Sequence, residues 1–74
     1  MTMNEYAKSR GLTVQLIAQK LGMSRQAISR YGADEYHPTV TTLEKLARAM
    51  TELGASTTVV DLVAALYEKK EQED

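Results

Sequence analysis

Residues 12–31 read LTVQLIAQKLGMSRQAISRY, and the punctuation of that stretch decides the fold. Thr13 stands where a side-chain oxygen can cap a helix. Leu16, Ile17 and Leu21 then recur on one helical face, with Ala18 beside them. Gly22 ends that helix, at the position where a left-handed residue closes a helix without a Cβ penalty. Only Met23 separates the glycine from Ser24, a second N-cap, which opens a helix reaching roughly Tyr31. Helices joined by so short a turn do not easily lie antiparallel and tend to cross steeply. Ala18 is small enough to let the two approach, and Ile28 fills the space between them. With those positions committed to packing, Arg25, Gln26, Ser29 and Arg30 are left facing outward. Such a set can hydrogen-bond to base edges and phosphates, since Arg suits guanine, Gln suits adenine, and Ser or Arg suits phosphate.

The flanking sequence supplies about three more helices. One runs from about Met3 to Arg10, stopped by Gly11, with Tyr6 and Ala7 as inward positions. Residues 32–40 form the longest irregular stretch and contain Gly32 and Pro38, the only proline. Thr41-Thr42-Leu43-Glu44 matches a capping box opening a fourth helix, with Leu43, Leu46, Ala47 and Met50 on its apolar face and Gly54 at its end. A fifth helix is expected from about Thr58 to Lys70. Residues 1–70 then make one domain, followed by a frayed acidic tail at 71–74.

Seventy-four residues allow a single small domain, near the size at which one apolar core holds a fold unaided. There is no cysteine, so no disulfide or thiolate metal site, and one histidine, His37, gives no metal site worth proposing. His37, beside Pro38, reads as a loop residue. With four tyrosines and neither Phe nor Trp, the core must come from Leu, Ile, Val, Ala and Met, a palette that suits short helices. The longest apolar run, Leu62 to Tyr67, falls far short of the roughly 18–20 residues of a membrane span. The first five residues show no basic region followed by an apolar run, so no secretory signal is expected and the chain reads as cytoplasmic. No nucleophile–base pair or glycine-rich phosphate loop is present, so neither enzymatic activity nor a cofactor is expected.

The net charge of −1 averages over unlike segments. Residues 1–31 carry Lys8, Arg10, Lys20, Arg25 and Arg30 against Glu5 alone, a net +4. Residues 32–55 net −2, with Asp34 and Glu35 in the loop, and residues 56–74 net −3. A basic first half in front of an acidic second half fits polyanion binding by one face, and composition alone fits solvated helix faces without a partner equally well.

At these residues the chain resembles the lambda-repressor and Cro-like helix-turn-helix family, often called the Xre family. The resemblance covers roughly residues 5–54. It rests on Ala18, Gly22 and Ile28 and on Pro38 followed by Leu43, Leu46, Ala47 and Met50. It implies an all-α, compact bundle of about five short helices that sets the third helix in the major groove of double-stranded DNA. By position, Arg25, Gln26, Ser29 and Arg30 would read bases. Thr13, Gln15, Ser24 and Thr41, at or near helix starts, would contact phosphates, because helix N-termini favour anions. Plain capping would explain Thr13, Ser24 and Thr41 without DNA. Tyr31 takes a packing role. The implied activity is a dimeric regulator of bacterial or phage origin on a pseudo-palindromic operator.

The chain departs from the family pattern in three respects. Val14 stands where a polar residue, commonly Gln, often opens the second helix, and it cannot reach a phosphate through its side chain. Ala7 and Gly32 replace an Arg–Glu pair, so both partners are absent together and no buried charge is stranded. Asp34 and Glu35 would lie near the DNA backbone, where acid weakens binding. The fifth helix carries an apolar stripe of Val59, Leu62, Val63 and Leu66, widened by Val60, Ala64 and Tyr67. The stripe is broader than a small core requires, which predicts a homodimer or a docked protein partner. The alternative function is a helix-turn-helix used for protein binding, as in a phage repressor modulator or an antitoxin.

Overall fold

Thr2, Thr13, Ser24 and Thr39 each precede a helix with extended backbone. The side-chain oxygen of each accepts the N–H three residues on, from Glu5, Leu16, Ala27 and Thr42 respectively. Each cap satisfies a donor that the first helical turn would otherwise leave unpaired. In the computed structural model, which describes residues 1–32 and 37–67, the helices are α1 (Met3–Ser9), α2 (Val14–Leu21), α3 (Arg25–Ser29), α4 (Val40–Glu52) and α5 (Val59–Tyr67). Thr58 and Asp61 close the start of α5 reciprocally: the Asp61 N–H donates to Thr58 Oγ1 at 3.1 Å, and the Thr58 N–H to Asp61 Oδ2 at 3.0 Å.

The fold is the expected all-α bundle. α2 packs on α3 and α4, α4 on α5, and α1 on α2 and α3. Met3, Ile17, Ile28, Leu46, Met50 and Leu62 are its fully buried large side chains, so methionine, isoleucine and leucine fill the role that aromatics take elsewhere. Tyr6 and Ala7 are buried as α1's spacing predicts. At the α2–α3 turn Gly22 adopts φ 70°, its N–H returns to the Ala18 carbonyl, and the Met23 N–H follows it there at 3.0 Å. The left-handed glycine turns the chain within one residue of the Ser24 cap. No helix among the described residues is long and apolar enough to cross a membrane.

Four expectations change. Ile17, Ala18 and Leu21 face inward as expected, but Leu16 is 44% exposed and Val14, at 3%, takes its place on the inward face of α2. A helix that begins at Val14 repeats its inward side at Ile17, Ala18 and Leu21, while Leu16 falls about 200° away from Val14. The third helix ends at Ser29, with Arg30 as its C-cap, short of Tyr31. The fourth begins at Val40 under the Thr39 cap, so Thr41 lies inside the first turn and the Thr41–Glu44 box is not the helix start. Finally, Leu62 and Leu66 are 0% and 3% exposed, buried in the chain's own core. They are therefore unavailable as partner-facing residues; Val59 is partly buried against the same core, and Val63 stays exposed. The predicted end of the fifth helix at Lys70, the 71–74 tail, Asp34 and Glu35 lie outside the described residues.

Candidate nucleic-acid interface

α3 is a five-residue helix held from below by Ile28, which is fully buried against the layer containing Ala18 and Ile17. Once that one side chain points inward, Arg25 and Gln26 are left to solvent, while Ala27 and Ser29 are partly covered. Arg25, Gln26 and Arg30 are exposed. Arg25 makes no hydrogen bond or ion pair among the described residues, so its five donors stay open to an acceptor. Ser29 sits lower on the helix, half-buried, and its hydroxyl donates to the Gln26 carbonyl at 3.3 Å. The four predicted base-reading residues thus share one helix, three as exposed long side chains and one turned partly inward.

The predicted phosphate-contacting residues sit at or near the starts of α2, α3 and α4. Thr13 Oγ1 accepts the Leu16 N–H at 3.2 Å, and Ser24 Oγ accepts the Ala27 N–H at 3.0 Å. Both hydroxyls do cap helices, and because each cap uses an oxygen lone pair, the O–H proton remains for an outside acceptor. Gln15 is exposed on the first turn of α2 and lines one groove with Gln19, Gly22, Met23 and Arg25, floored by Ala18. The turn therefore brings Gln15 and Arg25 together from two helices. Thr41 is exposed on the first turn of α4. Two polar groups escaped the sequence reading. Thr39 is the actual α4 cap, and its Oγ1 lies 3.1 Å from Thr42 Oγ1. Gln19 shares the groove because it falls one helical turn after Gln15. The i, i+4 spacing would have found Gln19, and the position directly after Pro38 would have favoured Thr39.

Electrostatics narrows the basic half. Lys20 pairs with Glu52 on α4 at 3.2 Å, both side chains about half exposed. Arg10 donates to the Ser56 carbonyl at 2.6 Å and to the Tyr6 hydroxyl at 3.2 Å, with its guanidinium 5.7 Å from the Tyr6 ring centre. Two of the five basic side chains behind the +4 excess are thus committed to the fold, while Arg25 opens α3 and Arg30 is its C-cap. His37 stacks on Tyr67 with ring centres 4.5 Å apart, which gives that loop histidine a packing role. Val14, at the family's polar position, belongs to the core and makes no outward contact.

A protein-family model described as Helix-turn-helix matches residues 3–51, about two-thirds of the chain, covering α1 to α4 and leaving α5 beyond its end. No curated protein and no solved structure gives a significant match. The match runs through the capped, glycine-turned α2–α3 pair and the exposed side chains it presents, and on it the chain belongs to the lambda-repressor and Cro-like (Xre) helix-turn-helix family of DNA-binding regulators.

Proposed function

We propose that the chain is a sequence-specific transcriptional repressor that binds double-stranded DNA as a dimer on a pseudo-palindromic operator and blocks a promoter by occupying it. The observation that carries this reading is α3: one buried anchor, Ile28, beneath an exposed row containing Arg25, Gln26 and Arg30. A helix so presented fits the major groove, where Arg bonds bidentately to guanine and Gln to adenine. Thr13, Gln15, Ser24 and Thr41 then contact phosphates on either side, fixing register without reading sequence. Such a regulator works in the cytoplasm of a bacterial or phage-infected cell.

A second copy is the expected partner on α5. Val60, Val63, Ala64 and Tyr67 are exposed and recur at helical spacing, and none is charged, so a two-fold axis brings no like charges together. Dimerisation through this face sets two recognition helices about one DNA turn apart.

Gel shifts against the chain's own upstream region, run at several salt concentrations, test the reading. A DNA reader binds with an affinity that falls steadily as salt rises. Absence of binding, with co-purification of another protein, replaces it with the protein-binding module.

A further inference from the structure

Residues Met1–Met3 run between the exit of α3 and the last turn of α5 and are bonded to both. The Met3 N–H donates to the Tyr31 carbonyl at 2.9 Å, and the Met1 nitrogen donates to the Ala65 carbonyl at 2.8 Å. Between them Thr2 is fixed by a reciprocal pair with Glu5: the Glu5 N–H donates to Thr2 Oγ1 at 3.2 Å and the Thr2 N–H to Glu5 Oε1 at 3.0 Å. Met3 is fully buried beneath this segment. Gly32 lies directly against it. A Cβ at Gly32 would collide with the Met1 carbonyl oxygen and stand 2.8 Å from Thr2 Cα and 3.0 Å from Leu66 Cδ2. The two nearest of those three atoms are backbone and cannot rotate aside.

α3 is far shorter than the dozen or so residues that an isolated helix needs, so its direction is set by whatever holds its ends. The Ser24 cap holds the first end. At the second, the hydrogen bond from Met3 to Tyr31 and the close pass at Gly32 do so. We infer that the Met1–Met3 strap, seated against Gly32, is a positioning element for the recognition helix, through which the placement of α5 reaches Arg25, Gln26 and Arg30. Its consequence for binding rests on the DNA-binding reading above.

Gly54 provides the control. It too has a left-handed backbone, φ 105° against 90° at Gly32, but a Cβ there meets nothing within 4 Å. Gly54→Ala therefore carries the backbone cost without the collision, and Gly32→Ala carries both. A third variant, Glu5→Ala, loosens the strap from an exposed position and keeps the core whole. Two quantities are read: backbone amide NMR shifts of the free protein, and affinity for a duplex that the wild-type chain selects from random sequence.

Gly32→Ala is expected to move the amides of residues 25–31 and 62–66 and to weaken binding by about tenfold relative to Gly54→Ala, the equivalent of roughly one base contact. Glu5→Ala moves the same amides by less. If Gly32→Ala does not fold, Glu5→Ala decides alone. Unmoved α3 amides in Glu5→Ala, or equal effects of the Gly32 and Gly54 variants, overturn the inference. Because the amides are read without DNA, failure of the wild-type chain to select any duplex overturns the DNA reading and leaves the strap to be judged by the amides.

Discussion

The Tyr67 hydroxyl, on the final turn of α5, donates to the backbone carbonyl of Pro38 at 2.7 Å. One hydrogen bond thus ties the C-terminal helix to the segment that leads into the α4 cap, and the His37 ring lies tilted against Tyr67 with ring centres 4.5 Å apart. Tyr67→Phe keeps the ring and loses only the donor, leaving the Pro38 carbonyl to find water. The expected loss is about 1 kcal/mol in chemical denaturation. An unchanged midpoint shows that the bond contributes nothing in solution.

Thr39 and Thr41 separate capping from DNA contact. Thr39 Oγ1 accepts the Thr42 N–H at 3.2 Å, whereas Thr41 is exposed inside the first turn and caps nothing. Thr39→Ala is expected to cost about 1 kcal/mol of stability. Thr41→Ala should change stability by less than about 0.5 kcal/mol while weakening DNA binding uniformly across sequences and leaving the salt dependence unchanged, because a neutral hydroxyl displaces no counterion. Equal destabilisation by both would return the helix start to Thr41.

The helix-turn-helix was legible because its determinants are local. Thr13, Ser24 and Gly22 act on their own backbone within four residues, so spacing alone reports them. The phase of α2 was not legible in the same way. Val14, Leu16 and Ile17 are all apolar, so the helix start at Val14 does not by itself say which of them face inward. At α4 the Thr41–Glu44 pattern competed with Thr39, and the structure starts the helix one residue after Thr39. The apolar breadth of α5 is visible in its sequence, but the division between buried and exposed positions is not. Leu62 and Leu66 go to the core, and Val60, 75% exposed, goes outward. The strap against Gly32 depends on an approach between residues far apart in sequence, and no local pattern encodes it.

Arg25 is the most direct probe of the recognition face. It is exposed and unpaired among the described residues, so Arg25→Ala leaves the fold untouched. Specific affinity is expected to fall by about 1–3 kcal/mol, with discrimination relaxed at one base position. Titration of a labelled operator and its single-base variants measures both, and unchanged affinity removes Arg25 from the reading set.

Asp61 gives the stability a pH dependence of known sign. The Thr58 N–H, then the Thr58 hydroxyl, and to a lesser degree the Arg10 guanidinium hold its carboxyl below the ordinary value of 3.8, against a small opposing effect of desolvation. A carboxyl with a lowered folded-state pKa stabilises the fold while ionised, above its unfolded pKa, and that contribution is lost as pH falls through the folded value. The stability gap between wild type and Asp61→Asn should therefore narrow between about pH 5 and about pH 2. A gap that is constant across this range, in denaturant titrations at each pH, argues that the carboxylate's charge plays no part.

Val63 and Leu62, neighbours in sequence on opposite duties, decide the dimer. Leu62 is fully buried, so Leu62→Ala removes core volume and is expected to cost about 2–5 kcal/mol. Val63 is exposed on the stripe with Val60, Ala64 and Tyr67, so Val63→Glu leaves the protomer's stability nearly unchanged. Across a two-fold axis it sets two carboxylates against each other on a surface that carried no charge. Sedimentation equilibrium at micromolar concentration should then show wild type shifting toward a dimer and Val63→Glu remaining a monomer. The same variant should bind a full operator far more weakly than wild type and a single half-site equally well, because only the link between the two recognition helices is lost. Wild type that stays monomeric while saturating a full operator, with Val63→Glu binding identically, would show that each chain reads DNA alone and that the apolar face of α5 serves another partner.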